Sequence, residues 1–468
     1  VIALALAAAL TQPDILKEDR IQGVWAQDVD GDGKLELLVQ VGRRLDLHAG
    51  LRAEPAETLL MDQDPFVWTL CRLEGTRGLS VAVLTSRGLW FYRRGADGWA
   101  REPEPAVVHP NLFHGKLALR EAPARLEFMP RLNGDEAADL IYPGVEATFV
   151  MVQRAGSFVL RQKILLAMEF SGELGWWPRP EVRETVRVPF LYAADLDGDG
   201  LSDLAAFDGE KLAAFHQDAD GSFPNAPDRT LRLPSPRAKS FFKIRPSPSV
   251  QDVDGDGQAD LVQVNPAIGA AEIYYGRDGM PSNADVEQRE DGGTWGISAR
   301  VAPMGPSGRR ALVLQTVEQV GLLEAVEFLK KRRAELRVSF YPLEASGRPA
   351  RNAARTLRLD APFVADVTQY GFDLKRIQEP VLADLDGDGA RDCVAVTAEG
   401  RLARYGADGD GSVRDEPEPL GGFKLPDGAA DVRMQAADLD GDGRDDLIVI
   451  CAVRGGGERI MVRWSNAK

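Results

Sequence analysis

Cysteine and histidine are scarce in this chain of 468 residues. Its three cysteines, Cys71, Cys393 and Cys451, are too few and too scattered for a disulfide framework. Cys393 stands where comparable stretches carry leucine, which suits a small buried apolar residue. The four histidines, His48, His109, His114 and His216, come without a zinc-protease helix motif, and there is no nucleophile elbow. His109 and His114 lack an obvious third ligand. A basic surface is also missing. Asp and Glu total 72 against 56 Lys and Arg, a formal charge of −16, which argues against nucleic acid as a partner. No run is long and apolar enough to span a bilayer.

Glycine and proline, by contrast, are plentiful at 47 and 29 residues, and they are spread throughout, as many turns between short strands require. A hydrophobic content of 44% is ample for a core. The N-terminal "VIALALAAALTQPD" reads as the apolar core and small-residue end of a secretory signal. Residues 1–11 are therefore expected to be a signal-peptide remnant, ahead of one domain over 12–468, and the protein to be secreted, periplasmic or at the cell surface.

One motif dominates. "DVDGDGKLELLVQV" at 28–41 returns as "DLDGDGLSDLAAF" from Asp195, "DVDGDGQADLVQV" from Asp252, "DLDGDGARDCVAV" from Asp384 and "DLDGDGRDDLIVI" from Asp438. The first, third and fifth positions are always carboxylates: Asp28, Asp30 and Asp32; Asp195, Asp197 and Asp199; Asp252, Asp254 and Asp256; Asp384, Asp386 and Asp388; Asp438, Asp440 and Asp442. Glycines at positions four and six let the backbone fold tightly so that these side chains converge. The seventh residue (Lys34, Leu201, Gln258, Ala390, Arg444) can turn a carbonyl inward, and the ninth (Glu36, Asp203, Asp260, Asp392, Asp446) is again acidic. Such a hard, oxygen-only set suits Ca²⁺ better than Mg²⁺, which prefers a smaller and wetter octahedron. Position twelve is never the bidentate glutamate of an EF-hand, and the residues after each loop are strand-like, not helical. Tight turns alone would also favour Asp and Gly, but five copies in one spacing favour about five Ca²⁺ ions.

Pairs of copies lie roughly 55 residues apart, so the larger gaps are expected to hide decayed units. "RLNGDEAADLIY" from Arg131 keeps part of the motif, and Arg131 is expected to replace the ion by pairing with Asp135 or Asp139. "CRLEGTRGLSVAVL" from Cys71 and "PMGPSGRRALVLQT" from Pro303 keep only the turn and the next strand. Aromatic strands running into Asp-Gly turns, such as "WFYRRGADG" at 90–98 and "YYGRDG" at 274–279, add a hairpin to each unit. Each unit thus reads as four strands, A to D, with the acidic loop between A and B. The expected fold is all-β, a β-propeller of four-stranded blades. Eight units can be counted, seven being the alternative, with one short inserted helix near 321–334. The last unit lacks a fourth strand, and the segment around 12–19 is expected to supply it, leaving no open edge.

These repeats resemble the FG-GAP and VCBS repeats of calcium-loaded β-propellers, the class that includes the integrin α-subunit head. The resemblance implies that side chains one, three, five and nine and the seventh carbonyl of each loop bind Ca²⁺. Clear Phe-Gly and Gly-Ala-Pro signatures are absent.

In such a topology the A–B and C–D loops share one face, and the B–C and D–A loops the other. The long D–A insertions place Trp176, Trp177, Phe241, Phe242, Tyr370 and Phe372 as candidate ligand contacts, with packing of the loops as the competing role. The expected function is a monomeric binding or adhesion module for a protein or glycan, acting through the face opposite the acidic loops. The alternative is a lyase or hydrolase of acidic polysaccharides at the propeller mouth, with Lys239, Lys243 and Arg245 as the nearest bases. No catalytic residue stands out.

Overall fold

The computed structural model describes residues 15–17, 19–61, 65–108, 122–144, 147–166, 169–175, 181–187, 190–207, 211–233, 242–243, 248–305, 308–319, 330–368, 371–397, 399–426, 429–453, 456–463 and 465. Alternating apolar and polar residues, cut every few positions by glycine turns, fold into short antiparallel strands with both faces covered. Eight blades, built on sheets of three to six strands, form a propeller ring.

Blade 1 shows the plan, with strands A to D at Ile21–Gln27, Glu36–Val41, Arg44–His48 and Glu57–Leu60. Blade 4 (Phe190–Ala194, Asp203–Phe207, Lys211–Phe215, Arg229–Arg232), blade 5 (Ser249–Gln251, Asp260–Asn265, Ala270–Arg277, Met280–Glu290) and blade 7 (Val381–Ala383, Asp392–Val396, Arg401–Tyr405, Glu418–Lys424) repeat it. Blade 6 (Thr294–Pro303, Arg310–Glu318, Arg333–Pro342, Arg355–Thr368) is extended by Gly371–Ile377 and Phe242–Lys243. In blade 2 (Val67–Arg72, Leu79–Thr85, Gly88–Tyr92, Glu104–Val107) a fifth strand, Ala124–Arg125, lies parallel to strand A on the inner edge.

Blade 3 has three strands, Leu140–Pro143, Thr148–Arg154 and Ser157–Ile164. The chain leading into it bonds to both neighbours: Leu126 N–H donates to Trp68 O (3.0 Å) and Ile141 N–H to Phe128 O (3.0 Å). Blade 8 (Ala430–Ala437, Asp446–Ala452, Glu458–Arg463) carries Ile15–Lys17 as its outer strand, paired antiparallel at Ile15↔Ile460 and Lys17↔Glu458. The two far ends of the described chain thus share one sheet.

The core is divided among the blade interfaces. Successive residues of a strand point to opposite faces, so Leu38 packs with Trp68 and Val81 of blade 2, while Leu37 and Val39 pack with Ile448 and Ile460 of blade 8. Eight such clusters, one per junction, close the cycle from blade 1 round to blade 8 and back. All three cysteines are free and buried.

Of the inserted helix, residues 320–329 lie outside the described residues. Lys330 and Lys331 are helical, Arg332 turns left-handed at φ 51°, and strand C of blade 6 begins at Arg333, so the helix stops short of 334. No helix among the described residues is long and apolar enough to cross a membrane.

Candidate metal loops and the opposite face

The five acidic loops adopt one geometry. The first carboxylate accepts two backbone N–H groups: Asp28 takes those of Gly31 (2.7 Å) and Gly33 (3.1 Å), and Asp195 those of Gly198 (2.7 Å) and Gly200 (2.9 Å). Asp252, Asp384 and Asp438 do the same. Both glycines of the first loop have positive φ, 77° for Gly31 and 91° for Gly33, a region costly for any other residue. The fifth carboxylate accepts the N–H of the seventh residue: Lys34, Leu201, Gln258, Ala390 and Arg444 donate to Asp32, Asp199, Asp256, Asp388 and Asp442.

Carboxylate oxygens therefore converge. Those of Asp28, Asp30 and Asp32, of Asp195, Asp197 and Asp199, and of Asp384, Asp386 and Asp388 each lie within 4.8 Å of one another, as do those of Asp252, Asp254 and Asp260. Hard oxygens at this spacing fit a divalent cation of the calcium type.

The ninth carboxylate makes a clamp that its spacing does not reveal. Asp260 accepts Val253 N–H (2.7 Å) on one oxygen and Gly276 N–H (2.6 Å), at the end of strand C, on the other. Asp203 does likewise with Leu196 and Gln217, and Asp446 with Leu439 and Ser465. It thus clamps the A–B loop to the C–D turn. Glu36, Asp203, Asp260, Asp392 and Asp446 are all buried. Burial, reinforced by neighbouring loop carboxylates, pushes Asp260 and Asp446 up to about 6, against the pull of their backbone donors.

Two loops contain a cation of the chain's own. Arg277 pairs with Asp254 (3.1 Å) and Asp256 (2.7 Å), and Arg404 with Asp386 and Asp392, the latter at 2.7 Å. Beside Asp197 and Asp203 stands His216, whose Nδ1 is 2.6 Å from Asp228 Oδ2 and Nε2 2.5 Å from Gly279 O. Burial lowers its pKa, but these two acceptors outweigh that and hold it above the ordinary value.

Arg131 does not replace an ion. It is exposed and makes no ion pair or hydrogen bond among the described residues. Its expected partners bond elsewhere, and Asp139 is fully buried while Arg131 is exposed. Asp139 takes Leu132 N–H (2.8 Å) and Gln153 N–H (3.0 Å), while Asp135 takes Asn133 Nδ2 (2.8 Å) and Ala137 N–H (2.9 Å). The clamp survives in this decayed loop although the first and third positions have lost their carboxylates to Arg131 and Asn133.

On the other face, three D–A connections carry added strands. Between blades 3 and 4, Glu169–Gly175 pairs with Glu181–Arg187; the intervening residues, including Trp176 and Trp177, lie outside the described residues. Between blades 6 and 7, Gly371–Ile377 pairs with the long strand Arg355–Thr368; Tyr370 lies outside the described residues. From the connection between blades 4 and 5, Phe242–Lys243 runs parallel to Phe372–Asp373, with Phe242 opposite Phe372. Phe241 also lies outside the described residues.

Residues 195–263 and 384–449 match the FG-GAP-like repeat family. No curated protein sequence matches the chain. Among solved structures, an Agrocybe aegerita lectin that recognises non-reducing terminal N-acetylglucosamine is 14% identical, with a TM-score of 0.39 over 98% of this chain and 94% of the lectin. The WD40 domain of SCAP from fission yeast is 10% identical, TM-score 0.44, over 97% of each chain. The V. cholerae biofilm matrix protein Bap1 is 14% identical, TM-score 0.28, over 94% of this chain and 76% of that one.

Proposed function

Because the chain carries FG-GAP-like repeats on an eight-bladed β-propeller, we propose that it is a secreted, calcium-stabilised module that binds or adheres to a protein or glycan. Asp28, Asp30, Asp32 and Glu36, with their counterparts at 195–203, 252–260, 384–392 and 438–446, would hold the ions. Bound Ca²⁺ would neutralise the carboxylate repulsion in each A–B turn. Ligand contact falls to the D–A face. The observation that carries this reading is the contrast between the faces: one is ringed by short acidic loops, the other by paired strands from three connections, two of which meet at Phe242↔Phe372.

The test is capture on protein and glycan arrays in millimolar calcium, comparing the full chain with one whose 169–187 hairpin is replaced by a short Gly-Ser link. The reading expects captured ligands to be lost from the shortened chain while its melting curve stays unchanged. Equal capture by both chains, or no capture by either, would overturn it.

A further inference from the structure

The inner edges of blades 8, 1 and 2 line an open pocket of about 810 Å³, within the usual range of small-molecule sites. Its polar walls come from three places: Gln22 and Gln27 on strand A of blade 1, Gln435 on strand A of blade 8, and Arg125 and Glu127 on the segment added to blade 2. Between them lie small apolar residues, among them Ala26 and Ala436.

Arg125 is held rigidly. Its guanidinium lies 4.9 Å from the ring of Trp25 and 5.5 Å from that of Trp68, and its Nη2 donates to Gln27 Oε1 at 2.8 Å. Trp25 can lie along its strand only because Gly23 has no side chain; a Cβ there would come within 2.2 Å of the indole. Trp68 Nε1 is fixed on Gln40 Oε1 (3.2 Å), and Gln40 Nε2 on Pro123 O (2.8 Å). The remaining donors of Arg125 make no bond among the described residues. Glu127 likewise has one oxygen bonded to Thr69 Oγ1 (3.3 Å) and the other without a partner among them.

The cavity thus offers a preorganised donor fork, a free carboxylate oxygen and several amides. One positive and one negative charge cancel, so the walls select neither anions nor cations. A sugar ring meets these demands: it is uncharged, carries donors and acceptors at close spacing and presents small apolar patches. We propose that this channel cavity binds a neutral saccharide, with Arg125 and Glu127 gripping neighbouring hydroxyls and Gln27 and Gln435 closing on the far side. This site is separate from the D–A hairpins and does not rest on their role.

Trp25 in the cavity wall, with Trp68 behind it against Arg125, makes binding observable. The full chain would be titrated with glucose, galactose, mannose, N-acetylglucosamine and their disaccharides, and with glucuronate and glucosamine as charged controls. Tryptophan fluorescence and calorimetry would be read together. The expected result is saturable binding of at least one neutral sugar, weakened about tenfold by Glu127→Gln and by Gln435→Ala, the loss of one hydrogen bond each. Melting curves of both variants should match the parent, and the chain lacking the 169–187 hairpin should bind as the parent does. Absence of neutral-sugar binding, preference for either charged sugar, or affinity untouched by both variants would overturn the proposal. Using variants on opposite walls guards against one of them failing to fold.

Discussion

A buried carboxylate that accepts two backbone N–H groups is a structural bond as much as a metal ligand. Asp260 joins two turns of blade 5 through backbone donors on both, Val253 N–H and Gly276 N–H. Asparagine in its place would keep one acceptor but turn an NH₂ towards an N–H donor. Asp260→Asn should therefore cost about 1–3 kcal/mol in urea unfolding. Charge adds a pH dependence. An acid raised to about 6 in the folded state contributes stability that is fully present below its unfolded pKa, near 4, and is lost as pH rises through about 6. In chelator, stability should fall between pH 4 and 7, and the fall should be shallower in D260N than in the parent. Equal slopes would show that Asp260 does not titrate there. Little of this is legible in the sequence. The nine-residue spacing exposes the recurring carboxylate positions because their pattern is local, whereas Gly276 donates through its backbone and leaves no mark in sequence. Arg277 and Arg404 hide for a similar reason, since an arginine in a strand is ordinary until folding sets it over a carboxylate. Arg131 misleads because its neighbours' capacity to accept cannot be counted from the sequence.

At the scale of the element, strands and turns are readable wherever glycine and alternation agree, as in blade 4. Blade 3 is harder: its first strand is replaced by chain that also bonds to blade 2, and local pattern carries no trace of a shared partner. The seam strand is the most consequential element. Ile15 is buried in the cluster joining blades 8 and 1, and Ile21 N–H donates to Glu458 at 2.6 Å. Deleting residues 1–19 would uncover the edge of Glu458–Arg463 and remove that apolar contact. The melting temperature should drop, by about 1 °C for each ~1 kcal/mol lost in a chain of this size. A truncated chain that melts with the parent would show that the seam contributes nothing.

For the whole molecule, stability is shared among eight interfaces, each holding its own cluster, so every blade depends on both neighbours. The ring itself comes from repetition, which is why the architecture can be read from the spacing of motifs while the connections between blades cannot. Calcium would act on this assembly additively. With affinities of ~0.1–1 mM, typical of extracellular sites, ~1 mM Ca²⁺ stabilises each loop by about 0.4–1.4 kcal/mol. Five loops together approach the margin of an ordinary domain. Melting should therefore rise in calcium, rise little in magnesium and fall in chelator, with metal counted directly on the same samples. Coincident curves with no metal retained would reduce the loops to solvated turns.

The seam also decides how the ring meets mechanical load. Ile15 lies opposite Ile460 and Lys17 opposite Glu458, so the chain before Ile15 and the chain after Ile460 leave the pair at the same end. Tension applied through those two directions peels the strands apart one rung at a time and does not shear all rungs together. The weakest path is then the rung-by-rung pairing that joins segments more than 400 positions apart in one blade, Ile15 with Ile460 and Lys17 with Glu458. Once it opens, blades 8 and 1 are held only through side-chain contacts. Rejoining is cheap in chain entropy, because the other blade junctions stay packed and keep the parted strands close. A pulled ring would thus part at a known place, at low force, and reclose when the load is released.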